Sequence, residues 1–146
     1  MEVIGTVFAG VGKIGDFKWQ ILCGDYNDAL FIFNDDEMRN KTPHATDGNA
    51  IIRQYNKYGC PTRPRSVGIV TGTGHIGYKQ FDEETKQSID ACIAEVKEII
   101  KDFAYTKIYY SAKEPGGILG TSIFNVDDDV LDYITKEIHA LRDFRD

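Results

Sequence analysis

The chain has 146 residues, 42% of them hydrophobic and 27% charged, with a formal net charge of −6 at pH 7. This composition is typical of one ordinary globular domain over residues 1–146 and excludes a disordered chain. The negative charge argues against duplex nucleic acid as a partner, because binding to it depends on lysine and arginine. No apolar run has the length of a membrane span and the N-terminus lacks the pattern of a signal peptide, so we expect a cytoplasmic protein with no membrane contact.

Cysteine and histidine spacing gives no indication of a metal site. The three cysteines are far apart and form no C-x-x-C pair, and the three histidines lack the spacing of metal ligands. We therefore expect neither a disulfide framework nor a structural metal, and no cofactor.

The first predicted element is a β-hairpin at the N-terminus. Residues 1–9 are rich in apolar side chains, and from Phe17 to Cys23 the pattern alternates with the period of two that is typical of a half-buried strand. The glycines between these strands, Gly10, Gly12 and Gly15, would form the turn. We expect the hairpin to extend the central sheet at one edge.

A buried strand and a short helix come next. Ala29–Phe33 is a continuous apolar run, as in a strand covered on both faces, and it ends in Asn34-Asp35-Asp36. After a polar loop over residues 34–46, Asp47 is a good N-cap for a helix from Gly48 to about Tyr58.

A glycine-rich segment follows the next strand. The apolar strand Val67–Val70 runs into Thr71–Tyr78, which contains three glycines, and an amphipathic helix then extends from Asp82 to Phe103. Glycines at the carboxyl end of a strand permit positive φ and let bare backbone N–H groups approach a ligand, which is where α/β sheets commonly hold phosphates. A phosphate-binding loop is the functional interpretation of this segment, and a flexible glycine connection is the alternative.

The last elements are a strand and a helix. Thr106–Ser111 has a strand pattern, Lys113–Gly120 is a loop, and residues 120–124 are a short extended piece. The final helix begins at Asp127, where the run Asp127–Asp129 favours helix capping over a divalent-ion site. From Ala29 onward strands and helices alternate, which predicts an α/β domain with a mixed, largely parallel sheet.

Polar segments should meet where the parallel strands end. Asn34 and Asp35 follow one strand, Asp47-Gly48-Asn49 begins a helix, and a glycine loop follows the next strand. A single cleft at these strand ends would then bind a diphosphate through backbone amides and a ribose or a base through side chains. The loop residues of this candidate ligand site are Thr71, Gly72, Thr73, Gly74, His75, Ile76, Gly77 and Tyr78.

A dinucleotide-binding Rossmann motif is one alternative for this loop, because Gly72 to Gly77 fits G-x-G-x-x-G. The context argues against it. The helix begins only at Asp82, and the acidic residues about 20 positions later, Glu95 and Glu98, lie inside that helix and not at a strand end.

Several segments resemble macrodomains, the ADP-ribose-binding modules. Thr71–Tyr78 is similar to their S/T-G-x-x-G-Y/F phosphate loop, Asp28–Asn34 to their strand Asp-Ala-Ile-Val-Asn-Ala-Ala-Asn, and Asp47–Arg53 to the helix after their first phosphate loop. Gly24-Asp25 is similar to their Gly-Asp-Ile. The resemblance implies a three-layer α/β/α macrodomain-like fold that binds an ADP-ribose-like ligand.

The resemblance also implies roles for single residues. Asp25 would recognise adenine, although it stands closer to the next strand than in macrodomains, and Asn34 or Asp35 would hold the ribose or place a catalytic water. The usual run of three glycines is replaced by Thr46-Asp47-Gly48-Asn49, so the first phosphate loop must differ.

A second resemblance is to small bacteriophage proteins. They share the combination of Gly-Asn-Ala-Ile-Ile-Arg, here Gly48–Arg53, with Thr-Gly-Thr-Gly, here Thr71–Gly74. It implies a phage protein in the host cytoplasm that sequesters an NAD-derived or cyclic nucleotide signal of antiviral defence.

Three functions stay open at the level of sequence. The first is a protein that binds such a nucleotide without turnover, the second is an ADP-ribosyl hydrolase with Asn34 or Asp35 as its catalytic residues, and the third is an interaction module. His75 is a polar rim residue or a base, and Arg53 reaches a phosphate or forms an exposed ion pair. The tyrosines Tyr105, Tyr109 and Tyr110 favour strand packing and an interface over a base-stacking platform, and a homo-oligomer is one of the open partner states.

Overall fold

The computed structural model describes residues 1–7, 15–46, 48–74, 76–121 and 125–144, with the backbone alone for residues 48 and 49. Within these ranges the helices and strands follow one another in this order: β1 (Glu2–Val7), α1 (Phe17–Cys23), β2 (Ala29–Asp36), a 3₁₀-helix (Gly48–Tyr55), β3 (Ser66–Thr73), β4 (Ile76–Gly77), α2 (Glu83–Asp102), β5 (Lys107–Ala112), α3 (Asp128–Ala140) and a 3₁₀ turn (Leu141–Asp143).

The five strands form one mostly parallel sheet in the order β1-β5-β2-β3-β4. β1 pairs with β5, β5 with β2, and β2 with β3, all in parallel, whereas β4 is antiparallel to β3. The predicted α/β class is therefore confirmed. The four parallel strands end at one edge of the sheet, which we call the carboxyl edge, and begin at the opposite, amino edge.

Helices cover both faces of the sheet. The apolar stripe of α2 packs with α3 on one face, and Phe17 and Ile21 of α1 pack with Ala50 and Ile52 of the 3₁₀-helix on the other. The residues of β2 alternate between these two clusters, so this strand is buried on both faces, as its continuous apolar run predicts. The structure thus has three layers.

The predicted N-terminal hairpin is wrong. Residues 17–23 form helix α1, and β1 pairs in parallel with β5. Asp16 caps the helix by accepting a hydrogen bond from the Trp19 amide at 2.6 Å, and Gly24 ends it with φ of 88°. Phe17 and Ile21, four residues apart, are the buried pair, so the alternation along this segment was incidental. β1 does occupy an edge of the sheet.

Smaller differences concern the ends of elements. β2 continues through Asp36 instead of ending at Phe33, and the helix that begins at Gly48 is a 3₁₀-helix that ends at Tyr55. The predicted cap Asp47 and most of the predicted extended piece at 120–124 lie outside the described residues. Among the helices that are described, none combines the length and the apolar character needed to cross a membrane.

Candidate functional site

At the carboxyl edge of the sheet, the connections that follow neighbouring strands lead to helices on opposite faces. The connections that follow β1 and β2 run through α1 and the 3₁₀-helix on one face, whereas β5 is followed by α3 on the other. Since β5 lies between β1 and β2, neighbouring connections leave in opposite directions. In open α/β sheets such a point opens a crevice in which ligands bind.

Asn34 stands at this switch point of the sheet. It stands near the end of β2, half-buried, and its Nδ2 donates a hydrogen bond of 2.6 Å to the carbonyl oxygen of Gly120 in the connection after β5. The side chain therefore bridges the two connections that leave in opposite directions. We call the region beside this bridge, where the topology predicts such a crevice, the edge crevice.

Asp35 is committed to a buried ion pair. Its Oδ1 accepts hydrogen bonds from Nε and Nη2 of Arg53 at 3.0 and 2.5 Å and from the Asp36 amide at 2.8 Å. The Asp35 side chain is fully buried and that of Arg53 is 1% exposed. Sequence reasoning treated the arginine as a phosphate ligand or an exposed ion pair, and the structure shows neither arrangement.

Arg53 also binds the loop after β2. Its Nη1 donates to the carbonyl oxygen of His44 at 2.7 Å and to Oγ1 of Thr46 at 3.1 Å. Burial raises the pKa of Asp35, and the hydrogen bonds and charge of Arg53 oppose that effect. Because the carboxylate is enclosed and paired, its geometry favours a structural role over that of a catalytic base, which must reach its substrate.

The glycine-rich segment Thr71–Tyr78 is a β-hairpin and not an open loop. β3 continues to Thr73 and turns back as β4, so that Gly72 pairs with Gly77. A side chain on Gly72 would lie 2.2 Å from the carbonyl oxygen of Ile76, and one on Gly77 would lie 2.7 Å from that of Asn125. These two glycines are explained by close approach of backbone to backbone.

Backbone amides in this hairpin are used internally. The Gly74 amide, at a residue with φ of 60°, donates to Oδ1 of Asp36 at 3.0 Å, and the Tyr78 amide donates to the Thr71 carbonyl oxygen at 2.9 Å. The expected phosphate cradle is therefore wrong for these two amides. The expected proximity of this segment to the end of β2 is correct. His75 lies outside the described residues.

Tyr78 packs inward. Its ring lies against the core between the sheet, α2 and α3, and its hydroxyl is buried. Burial and the nearby Glu37 carboxylate raise the pKa of Tyr78. Thr71 is also buried, whereas Ile76 at the tip of the hairpin is 62% exposed.

Asp25 lies at the amino edge, away from the other candidates. Its neighbours Tyr26 and Asn27 accept hydrogen bonds from Arg65 and Arg63, which precede β3. The five steps of strand from residue 29 to Asn34 alone span roughly 17 Å. Asp25 and Asn34 therefore lie at opposite edges of the sheet. Of the Asp47–Asn49 segment, only the backbone of the last two residues is described, at the start of the 3₁₀-helix.

The helix N-termini at the carboxyl edge are occupied by their own acidic caps. Asp82 accepts a hydrogen bond from the Thr85 amide at 2.8 Å, and Asp127 accepts one from the Asp129 amide at 2.8 Å. Acidic residues also fill both first turns. These caps confirm the predicted helix starts, and they make the beginnings of α2 and α3 poor anion sites. In the described part of the chain no cluster of side chains could hold a metal ion.

A second glycine-rich segment has the spacing of a phosphate-binding motif and was not among the predicted site residues. Gly10-Val11-Gly12-Lys13-Ile14-Gly15 fits G-x-G-x-x-G, and it connects the carboxyl end of β1 to α1, which is the context that this motif requires. Asp35, at the end of β2, comes 20 residues after Gly15. The signal was present, but the interpretation of residues 17–23 as a strand concealed it. Residues 10–14 lie outside the described residues.

Comparison with known proteins gives no match: no family model, no curated protein and no solved structure is similar to this chain. The resemblance to macrodomains and to bacteriophage proteins accordingly remains a prediction from the residues.

Proposed function

We propose that this protein binds a small nucleotide of the ADP-ribose or NAD-derived type in the edge crevice, within a macrodomain-like α/β fold. The observation that carries the proposal is topological. The connection with the sequence Gly10–Gly15 leaves β1 at the carboxyl edge, where Asn34 joins the ends of β2 and β5 across a change of crossover side.

The glycine connection after β1 supports binding of a diphosphate. Glycines between a strand and a helix allow backbone N–H groups to approach phosphate oxygens closely. Lys13 within this sequence is basic, whereas the starts of α2 and α3 are acidic. The ligand-binding amides are thus assigned to this segment instead of Thr71–Tyr78.

Two features separate this arrangement from a dinucleotide-binding Rossmann domain. β5 lies between β1 and β2, whereas the Rossmann unit places these two strands side by side. The acidic residue at the end of β2, Asp35, is paired with Arg53 and so does not bind a ribose hydroxyl. Asn34, at the rim of the crevice, is the residue we assign to ribose contact.

Binding without turnover is favoured over hydrolysis. A hydrolase needs a group that takes a proton from water, and an asparagine amide such as that of Asn34 can orient a water but cannot accept its proton. Asp35 is enclosed by its ion pair. In a bacteriophage setting, binding without turnover would sequester a nucleotide immune signal in the host cytoplasm.

An interaction module is the second candidate function. It is favoured by the β3–β4 hairpin, whose glycines and whose Gly74 and Tyr78 amides serve the packing of the hairpin itself.

Thermal unfolding with a panel of ADP-ribose, NAD and cyclic nucleotides tests the proposal. A ligand present at a hundred times its dissociation constant adds about 2.7 kcal/mol to the free energy of unfolding. We expect one compound to raise the melting temperature of the wild type. Gly12→Val should abolish the shift, because a β-branched side chain would keep a phosphate away from backbone amides, and Lys13→Ala should reduce it, because it removes a positive charge.

Lys18→Ala is the matched control, since it removes the same charge from α1 a few residues later. It should keep the full shift, and circular dichroism should show that all three variants remain folded. A melting temperature that no nucleotide changes, or full binding by folded Gly12→Val, would contradict the proposal. Appearance of product on chromatography after incubation with the ligand would instead favour the hydrolase.

A further inference from the structure

Helix α1 presents an apolar outer face. Phe17, Gln20 and Ile21 point into the core, whereas Trp19 is 39% and Leu22 is 63% exposed. The two exposed side chains stand three residues apart and therefore share one side of the helix. Single exposed apolar residues are ordinary on a protein surface, but a tryptophan and a leucine side by side on one helix form a patch.

Among the described residues, the layer that contains α1 is thin. There a seven-residue helix and an eight-residue 3₁₀-helix cover this face of the sheet, while α2 and α3 on the other face have 20 and 13 residues. Side chains such as Ile4, Tyr26 and Tyr55 are consequently only partly buried here. Trp and Tyr are the residue types that most often anchor protein interfaces.

The charges that flank the patch are self-complementary. Lys18 precedes Leu22 by four residues, and Asp25 follows it by three. Within the described part of the chain, neither Lys18 nor Asp25 takes part in an ion pair. If a second α1 packs antiparallel across a two-fold axis beside Leu22, Lys18 of each copy lies opposite Asp25 of the other.

We propose that α1 is the contact surface of a homodimer with two-fold symmetry, in which Leu22 packs against Leu22 of the second copy. Two-fold interfaces use the same patch on both subunits, which this charge pattern satisfies. The net charge of −6 makes two copies repel each other over most of their surface. Around α1 the opposite charges of Lys18 and Asp25 remove that obstacle, so a second copy is the occupant that fits.

Sedimentation equilibrium of the full chain is the first test. The wild type should have about twice the 16.4 kDa mass of one chain. Leu22→Asp should give a monomer, because it places two carboxylates against each other at the axis. Met38→Asp is the matched control: Met38 is 73% exposed and lies beside the Gly74 turn at the carboxyl edge, so this variant should remain a dimer.

A charge reversal separates this interface from a general apolar association. Lys18→Glu should raise the dimer dissociation constant by about tenfold or more, because like charges then face each other. Adding Asp25→Lys to the same chain should restore the wild-type constant.

Cross-linking through Cys23 gives an independent reading. Cys23 is exposed and adjacent to Leu22, whereas Cys92 is buried. A short bismaleimide should produce a covalent dimer of the wild type, and the product should be lost in Cys23→Ser and in Leu22→Asp. A wild type that sediments as a monomer at its highest soluble concentration would overturn the proposal, as would a dimer that Met38→Asp dissociates and Leu22→Asp leaves intact.

Discussion

At the scale of residues, the Asp35–Arg53 pair joins three parts of the chain: the end of β2, the 3₁₀-helix and the loop that contains His44 and Thr46. The pair is fully removed from water, so each charge depends on the other. Oδ2 of Asp35 faces Gly68, where a Cβ atom would lie only 2.2 Å away, so the missing side chain of this glycine leaves the space that the carboxylate occupies.

Breaking the pair from one side should be costly to stability. Asp35→Asn leaves the Arg53 guanidinium as a buried charge without a counter-ion, and such changes destabilise proteins by about 3–5 kcal/mol. The double variant Asp35→Asn with Arg53→Met removes both charges and should recover part of the loss. Urea unfolding of the three proteins measures this, and a single variant within about 1 kcal/mol of the wild type would contradict it.

His139 should make stability depend on pH. Its Nδ1 accepts from Arg142 and its Nε2 lies 2.8 Å from the Tyr110 hydroxyl, and burial together with the Arg142 charge lowers the pKa of His139. A lowered folded-state pKa means that the unfolded chain binds the proton more readily. The contribution of neutral His139 to the free energy of unfolding is therefore complete above the unfolded pKa of about 6.5, and it is lost as the pH falls below that value.

His139→Gln removes this titration. The urea midpoint of the wild type should fall more than that of His139→Gln between neutral pH and the pH range just above the titration of the carboxylates. Identical pH profiles of the two proteins would show that the His139 contacts do not bear on folding.

At the scale of elements, the sequence predicted the helices and strands that have long hydrophobic patterns. The stripe of α2 and its Asp82 cap, the doubly buried β2 and the final helix are all present close to their expected bounds. α1 was missed because seven residues are too few to separate a period of two from a period of 3.6. The caps Asp16 and Gly24 were the better evidence, since they act through local backbone geometry.

The β3–β4 hairpin explains why its glycines could be mistaken for a ligand cradle. A glycine that admits another backbone and a glycine that admits a phosphate leave the same mark on a sequence. The two kinds of glycine are distinguished only by the group that accepts the hydrogen bond of each backbone amide. The partners here, Asp36 and Thr71, come from an adjacent strand and from across the hairpin, and contacts between strands are not visible in a single chain's pattern.

Gly77→Ala tests the packing role of the hairpin. The added methyl group would meet the Asn125 carbonyl oxygen at 2.7 Å and Val126 Cγ2 at 2.8 Å, so the free energy of unfolding should fall by about 1–3 kcal/mol. Ile76→Ala, at the exposed neighbour, should change it by less than about 0.5 kcal/mol. Thermal unfolding followed by circular dichroism compares the two, and equal stability of both variants would contradict the assigned packing.

At the scale of the whole molecule, alternation of strands and helices predicted a largely parallel sheet, and the sheet has that form. The strand order could not be predicted from the sequence, because no local pattern indicates that β5 lies between β1 and β2. That insertion decides which connections become neighbours at the carboxyl edge. The location of the switch point therefore depended on the structure, while Asn34 as a candidate site residue came from the sequence.

The late position of β5 in the chain has a consequence for how the protein is made. Glu2 pairs with Lys107, 105 residues later, so during synthesis β1 stays unpaired until the segment that contains β5 has left the ribosome. Pairing over such a separation is slow, since the loop-closure entropy must be overcome before any contact forms. β2 and β3 can associate early, and β5 then joins both halves at once. Assembly of the sheet should thus be the rate-limiting step of folding. A chain that stops before residue 107 would leave β1 unpaired, and its free backbone groups could pair with neighbouring nascent chains.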